Sequence, residues 1–201
     1  MCECRKADRK KRLLDKIPVE YRELDLASVR PDANRHSKQT ALLDAVKQSP
    51  DTSLYLSGKN GCGKTMIGWL LYKRAIEQGR PAIFLPMPEL LRQLREWEMD
   101  SEKLPAIEAQ SLRESKHRWF IGIDEAEKAR PSEFASEALF QILDAVYSHH
   151  HQLVVTSNFS ARDLREHWSR QNPVWGASIM RRIMELDDLI EVEMFNEERA
   201  V

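Results

Sequence analysis

Residues 53–65 read SLYLSGKNGCGKT, an apolar run that breaks into glycines and ends on Lys-Thr. Gly58, Gly61 and Gly63 let the backbone turn tightly, so that successive N–H groups can point inward at an anion. The helix predicted over 66–78 presents the positive end of its dipole to the same anion. The stretch therefore predicts a strand, a phosphate-binding loop and a helix, in that order.

The loop also predicts which residues bind a nucleotide. Lys64 is expected to reach the β- and γ-phosphates, and the hydroxyl of Thr65 is expected to hold Mg²⁺. Cys62 is expected to be a small buried filler, with a thiol made reactive by the local field as the alternative. The expected phosphate-binding residues are Gly58, Lys59, Asn60, Gly61, Cys62, Gly63, Lys64 and Thr65.

The composition is that of an ordinary globular protein of one domain, with 201 residues, 42% of them hydrophobic and 31% charged. No apolar run approaches the roughly 18 residues of a membrane span, and the charged N-terminus differs from a secretory signal. We therefore expect a cytoplasmic protein without a membrane partner. The net charge of −1 predicts no general attraction to nucleic acid, so a DNA contact would need a local basic patch.

Residues 1–40 are predicted to be a basic, partly irregular lead-in, and residues 41–201 to be the nucleotide-binding domain. The basic run within residues 5–12 favours a solvated helix face, with a contact to DNA or to a protein partner as the alternative. Cys2 and Cys4 are too close for a standard zinc pair and no second pair follows. A zinc site within this chain is therefore not favoured.

Strands and helices alternate after residue 50, which predicts a three-layer α/β fold. Beyond the loop, strands are predicted over 82–85, 119–123, 153–158 and 186–195. Helices are predicted over 40–48, 89–99, 102–116, 132–147, 160–170 and 177–184. Three histidines at 149–151 fall between predicted elements, where a solvated loop is favoured over a metal site.

Polar residues follow two of the predicted strands at their carboxyl ends, where ligands bind in open parallel sheets. Asp124 is expected to bind Mg²⁺, and Glu125 is expected to polarise the attacking water. The alternative is that both acids cap a helix. Asn158 is expected to bond the γ-phosphate or to position the water, with a turn residue capping the helix at Ser160 as its alternative.

Four segments in this order resemble the AAA+ ATPases, and most closely the DnaC/IstB-type helicase loaders and transposition helper ATPases. They are GKNGCGKT (58–65), FIGIDEAEK (120–128), LVVTSN (153–158) and ASIMRRI (177–183). The resemblance implies a P-loop NTPase (AAA+) fold whose parallel five-stranded sheet has the order 5-1-4-3-2, with a short or absent C-terminal lid. It also implies ATPase activity with ATP and Mg²⁺.

The resemblance assigns further roles to single residues. Asn158 matches the sensor 1 position. Arg181 and Arg182 match the segment that carries an arginine finger, which acts on the ATP of a neighbouring subunit, and we favour Arg182 because it immediately precedes the apolar Ile183. The alternative is that both arginines pair with acids such as Glu185 or Asp187.

The resemblance implies an ATP-dependent helicase loader that assembles as a ring or spiral on single-stranded DNA and contacts a replicative helicase. Within the insertion at 87–117, Arg92, Arg95 and Trp97 are the expected DNA contacts, with a packed core position as the alternative for Trp97. The main alternative function is a transposition helper that presents target DNA to a transposase. A nucleotide-gated binding module and a small-molecule kinase are less favoured.

Overall fold

The computed structural model describes residues 3–27, 29, 43–44, 46–100, 102, 105–186 and 188–194, with side chains at residue 8 and from residue 10 onward. The helices are α1 (Glu3–Leu14), α2 (Val19–Arg22), α3 (Lys64–Glu77), α4 (Met87–Met99), α5 (Ala109–Glu114), α6 (Glu133–Ser148), α7 (Ala161–Trp168) and α8 (Pro173–Met184). A short 3-10 turn spans Ala126–Lys128. The strands are β1 (Leu54–Gly58), β2 (Ala82–Pro86), β3 (Phe120–Asp124), β4 (Gln152–Ser157) and β5 (Ile190–Met194).

The five strands form one parallel sheet with the order β2-β3-β4-β1-β5. This is the predicted order, read from the opposite edge, so the predicted fold is confirmed. Leu54 of β1 pairs with Val154 on one side and with Ile190 on the other. Because all strands run in the same direction, their carboxyl ends meet at one edge of the sheet.

Side chains that alternate along the strands feed two separate cores, one on each face of the sheet. Tyr55 and Val155 belong to the core beneath α4 to α8, whereas Leu54 and Val154 belong to the core beneath α3. Since each face is covered by helices, the central strands β1, β3 and β4 are buried on both sides and consist largely of apolar residues, whereas the edge strand β5 exposes Glu191 and Glu193. The result is the predicted three-layer arrangement.

The described part of the lead-in packs against α3. Ile17 is 2% exposed and lies in the same core as α3. The hydroxyl of Tyr72 donates to the carbonyl of Leu13 at 3.1 Å, and the ammonium of Lys73 donates to the carbonyl of Arg22 at 2.7 Å. The predicted division at residues 40 and 41 lies outside the described residues, as does Cys2 together with the side chain of Cys4. The division and the zinc question therefore stay predictions.

The basic run forms the end of α1, where Lys10, Lys11 and Arg12 are exposed. None of the helices within the described ranges combines the length and the apolar character needed to cross a membrane. In the described chain, β5 follows α8 directly and no further helix comes after it.

The predicted helix at 102–116 is wrong in its extent, because α5 covers only Ala109–Glu114. The chain at 105–108 is not helical, and Ile107 in this part is 2% exposed. The carboxylate of Glu108 accepts a hydrogen bond from the N–H of Ser111 at 3.1 Å, so Glu108 caps α5 and marks its start. Residues 101, 103 and 104 lie outside the description.

The predicted solvated loop at 149–151 is also wrong for its last residue, since His151 is 2% exposed. Its Nδ1 accepts from the N–H of Trp119 at 3.2 Å, and its Nε2 donates to the carbonyl of Leu112 at 3.0 Å. These two contacts join α5 to the residues that directly precede β3 and β4. Burial is the main reason that the pKa of His151 lies below its ordinary value, with the positive neighbours Arg118 and Arg80 acting in the same direction.

Candidate functional site

A cavity of about 340 Å³ opens at the carboxyl edge of the sheet, beside the loop between β1 and α3. The predicted residues that line it are Asn60, Gly61, Gly63, Lys64, Thr65, Glu125 and Asn158. The further lining residues are Tyr21, Met66, Glu127, Thr156 and Ser157. The cavity therefore brings together residues from the phosphate loop, from the end of β3 and from the end of β4.

The loop has the backbone that its glycines predict. Gly61 and Gly63 have φ values of 79° and 95°, in the left-handed region that favours glycine. Gly63 precedes the first turn of α3, which is 14 residues long, and no described side chain caps this helix. Its N-terminal N–H groups and dipole therefore face the cavity, where they can bind phosphate oxygens. Cys62, which belongs to this loop, is fully buried.

Lys64 is folded back over the loop. Its ammonium donates to the carbonyls of Gly58 at 2.7 Å and Lys59 at 3.0 Å, and to Oδ1 of Asn158 at 3.1 Å. The ammonium of Lys64 is thus a cation at the wall of the cavity, with partners at the end of β1 and just after β4. An incoming phosphate would take over part of this hydrogen bonding with a charge-assisted bond.

Asp124 lies behind the cavity wall and is 7% exposed. Thr65 Oγ1 donates to its carboxylate, at 3.1 Å from Oδ1 and 3.3 Å from Oδ2. The hydroxyl of Thr156 also donates to Oδ1 and accepts from the N–H of Glu125 at 3.0 Å. Hydroxyl and carboxylate oxygens are the ligands that Mg²⁺ prefers, so Thr65 and Asp124 fit a magnesium ion.

The pKa of Asp124 is raised, first because burial disfavours its charge and then because Glu125 and Glu127 are like-charged neighbours. The hydrogen bonds from Thr156 and Thr65 act in the opposite direction. A cation bound beside this carboxylate would restore the charged form. The electrostatics of the cavity therefore favour a positive ligand next to Asp124.

Glu125 has a φ of 54°, which is rare for a residue that carries a side chain. Such a conformation costs roughly 1–3 kcal/mol and persists only where surrounding contacts hold it. Here the hydroxyl of Thr156 binds the N–H of Glu125, and the ammonium of Lys128 pairs with its carboxylate. The turn places Glu125 on the cavity wall, where its side chain is 35% exposed.

Asn158 uses both ends of its amide. Its Oδ1 accepts from Lys64, and its Nδ2 donates to Oε1 of Glu127 at 2.6 Å. Helix α7 is capped by Ser160 instead, whose hydroxyl oxygen accepts from the N–H of Asp163 at 3.2 Å. Asn158 is therefore a cavity residue with polar partners and not the cap of the next helix.

The chain matches the family described as IstB-like ATP binding protein over residues 4–196. It belongs to the IstB-like ATP-binding proteins. The resemblance to the DnaC/IstB-type AAA+ family, drawn above from four short segments, is thereby confirmed.

Solved structures of other proteins have the same fold as this IstB-like protein. DnaI has a TM-score of 0.65 at 22% identity, covering 92% of this chain and 94% of its own. The DnaC helicase loader has a TM-score of 0.65 at 18% identity, covering 87% and 99%. AMPPCP-bound DnaA from Aquifex aeolicus has a TM-score of 0.67 at 14% identity, covering 90% of this chain and 51% of that one. This IstB-like chain thus spans about half of DnaA. The comparison with curated proteins gives no significant match.

Neither of the two predicted finger arginines of the IstB-like chain lies among the described lining residues of the cavity. Arg181 is 69% exposed and binds Glu185 through Nε, at 2.9 and 3.0 Å from the two carboxylate oxygens. This is one of the pairings that the alternative interpretation names. Asp187, its other named acid, lies outside the described residues.

Arg182 has a different environment, which the sequence did not predict. Its side chain is 25% exposed, and Nε lies 2.9 Å from Oδ1 of Asp144 on α6. The Nε–H of Arg182 is not aligned for a hydrogen bond to Asp144, so the contact between the two side chains is an ion pair only. The guanidinium carbon also lies 4.9 Å from the ring centre of Tyr147. Arg182 therefore joins α8 to α6 within the chain.

The three expected DNA contacts of this IstB-like protein all lie on α4. The two arginines among them have other partners within the chain. Arg92 pairs with Glu89 at 2.6 Å and with Glu96. The guanidinium carbon of Arg95 lies 5.0 Å from the ring centre of Phe134. Trp97 is half-buried and lines a second cavity of about 380 Å³. A phosphate contact by Arg92 would have to break its pairing with two carboxylates.

Five lining residues of the IstB-like site were not predicted. Thr156 and Ser157 end β4 at the same edge as Asn158, so their position in the strand was an available signal. Glu127 is a third acid just beyond Asp124 and Glu125, which was a weaker signal. Met66 belongs to the first turn of α3. Tyr21 had no local signal, because only the packing of α2 on the core brings it to the cavity.

Proposed function

We propose that this protein is a magnesium-dependent ATPase that works in the cavity beside the phosphate loop. The observation that carries the proposal is the convergence of Lys64, Thr65, Glu125 and Asn158 on that one cavity, with Asp124 directly behind Thr65. The loop and the N-terminus of α3 would bind the phosphates. Membership of an ATP-binding family supports ATP as the nucleotide.

Each residue then has one chemical task. Lys64 balances the negative charge of the β- and γ-phosphates, and Thr65 and Asp124 would hold the metal. Mg²⁺, when bound, neutralises charge on the phosphate oxygens. Glu125 orients and polarises the attacking water, and Asn158 donates to the γ-phosphate or to that water.

Assembly is proposed to complete the site. Neither Arg181 nor Arg182 is among the described residues that line the cavity of its own chain, which supports an arginine finger supplied by a neighbouring copy. Such a cation stabilises the charge that develops in the transition state, so that hydrolysis depends on assembly. We keep Arg182 as the proposed finger, which would have to leave Asp144 to act in this way.

The proposed process is the loading of a replicative helicase onto single-stranded DNA by a ring or spiral of these subunits. The similarity to the DnaC helicase loader and to DnaI supports this proposal. DnaA, a further neighbour of the same fold, is described as bound to single-stranded DNA. The family description, IstB-like, favours one second candidate, a transposition helper that presents target DNA to a transposase.

The test of assembly is the ATP hydrolysis rate per subunit as protein concentration rises, with and without single-stranded DNA. We expect the rate to rise with both, and to collapse in Arg182→Ala while ATP binding survives. Asp144→Asn is the matched control, because it breaks the same intrachain ion pair and leaves the arginine in place. A rate that is independent of concentration and untouched by Arg182→Ala would contradict catalysis in trans.

The test of the biological process is the partner. Purified protein with ATP and DNA is mixed with a replicative helicase in one experiment and with a transposase on duplex DNA in another. Capture of the helicase on single-stranded DNA supports the loader. Association with the transposase on duplex DNA supports the second candidate and contradicts the first.

A further inference from the structure

Glu127 is a third carboxylate in a cavity that already has Asp124 behind it and Glu125 on its wall. It lies in the short turn that follows β3 and is half-buried. A third negative charge repels the phosphates that the proposed function brings to this place, and it raises the pKa of Asp124 as well. Its charge therefore opposes nucleotide binding.

Both carboxylate oxygens of Glu127 are held by residues at the end of β4. Oε2 accepts from the hydroxyl of Ser157 at 2.9 Å, and Oε1 accepts from Nδ2 of Asn158 at 2.6 Å. The Ser157 oxygen in turn accepts from the N–H of Phe159 at 3.0 Å, which fixes its direction. These contacts hold Glu127 in one position across the turn and the strand.

The amide of Asn158 therefore lies between a group that can only donate and a group that can only accept. The ammonium of Lys64 has no acceptor, and an ionised carboxylate has no donor. Only one orientation of the amide satisfies both neighbours, with Oδ1 toward Lys64 and Nδ2 toward Glu127. The reversed amide would place oxygen against oxygen and nitrogen against ammonium.

We propose that Glu127 is a positioning residue that orients the Asn158 amide, so that the second hydrogen on Nδ2 is the donor that distinguishes ATP from ADP. This inference rests on the proposed function of the cavity. Once a phosphate competes for the ammonium of Lys64, the hydrogen bond from Lys64 to Oδ1 of Asn158 is weakened. Glu127 then remains the group that prevents the amide from turning over.

The test compares the binding of ADP and of the slowly hydrolysed analogue ATPγS, each with Mg²⁺, by calorimetry on the full chain. The measured quantity is the ratio of the two Kd values, because it reports the contribution of the γ-phosphate. Glu127→Gln keeps the size of the side chain and lets the amide of Asn158 reverse. We expect the preference for ATPγS to fall about tenfold, the size expected for one hydrogen bond to a charged group.

ADP affinity should stay equal or increase in Glu127→Gln, because a like charge leaves the cavity. A merely structural role would weaken both nucleotides together. Glu133→Gln is the matched control, since it removes an exposed carboxylate that is not among the described lining residues. It should keep the wild-type ratio. Glu127→Ala should repeat the loss in a variant with a shorter side chain.

The same measurement in Asn158→Ala and in the double variant shows whether Glu127 acts through Asn158. We expect the double variant to lose no more than Asn158→Ala alone. Additive losses, or an unchanged ratio in Glu127→Gln, would overturn the inference, as would a wild-type chain that binds both nucleotides equally well. A wild-type chain that prefers ATPγS but hydrolyses no ATP would contradict the proposed ATPase and leave this positioning role supported.

Discussion

Thr65 donates a hydrogen bond to Asp124, with 3.1 Å between Oγ1 and Oδ1, although the strands that lead to these two residues are not neighbours in the sheet. Thr65 belongs to α3, which follows β1 in the chain, Asp124 ends β3, and β4 lies between β1 and β3. Thr156 of β4 completes the contact with its own hydrogen bond to Asp124. One buried carboxylate thus links three elements of the site.

We predict that Asp124→Asn makes the protein more stable while it abolishes metal-dependent hydrolysis. The substitution removes a buried charge next to Glu125 and Glu127 and keeps an oxygen for Thr156. A gain of about 1 kcal/mol would raise Tm by roughly 2–4 °C in a domain of this size. The measurement is thermal unfolding without nucleotide, together with ATP hydrolysis in Mg²⁺.

The stability gain should depend on pH. Because the folded pKa of Asp124 is raised, its contribution is full below the unfolded value of 3.8 and is lost as pH rises through the folded pKa. The difference in Tm between Asp124→Asn and the wild type should therefore grow from about pH 4 to about pH 7. Asp8→Asn, at an exposed site, should show no such trend. A lower Tm for Asp124→Asn at neutral pH would contradict the account.

Much of the site could be predicted because its signals are local. Glycines before Lys64, acids after a buried strand and polar residues after β4 each mark a strand end, and a parallel sheet collects such ends at one edge. The partners formed across the fold could not be predicted. The alternative interpretation paired both arginines with nearby acids such as Glu185, whereas Arg182 contacts Asp144 because α8 packs on α6. His151 was missed for the same reason, since its partners are Leu112 of α5 and Trp119, which directly precedes β3.

We predict that Gly58→Ala destabilises the protein far more than Gly79→Ala. Gly58 has a φ of 137°, and a Cβ there would lie 2.0 Å from the carbonyl oxygen of Met194 in β5. Gly79 has a φ of 75°, with no described atom within 4 Å of the added carbon. Gly79→Ala should cost about 1 kcal/mol from backbone strain, and Gly58→Ala at least about 3 kcal/mol. Urea unfolding measures both, and equal losses would show that β5 does not pack here as described.

We predict that His151 makes the protein less stable in mild acid. Since the folded pKa lies below the ordinary value of 6.5, the unfolded chain binds more protons as pH falls through this range. The free energy of unfolding should therefore fall between about pH 7.5 and about pH 5.5 by more in the wild type than in His151→Gln. His117→Gln, at an exposed position, should keep the wild-type pH dependence. The same slope in all three proteins would contradict a buried neutral His151.

The most direct measurement is the rate of Mg-ATP hydrolysis by the wild type and by Glu125→Gln, with the Kd for ATP determined on the same preparations. Glu125→Gln keeps the size of the side chain and removes the carboxylate that polarises water. We expect the rate to fall at least about 100-fold, with ATP affinity retained. An unchanged rate would show that the carboxylate of Glu125 takes no part in the chemistry, and would contradict the proposed ATPase site.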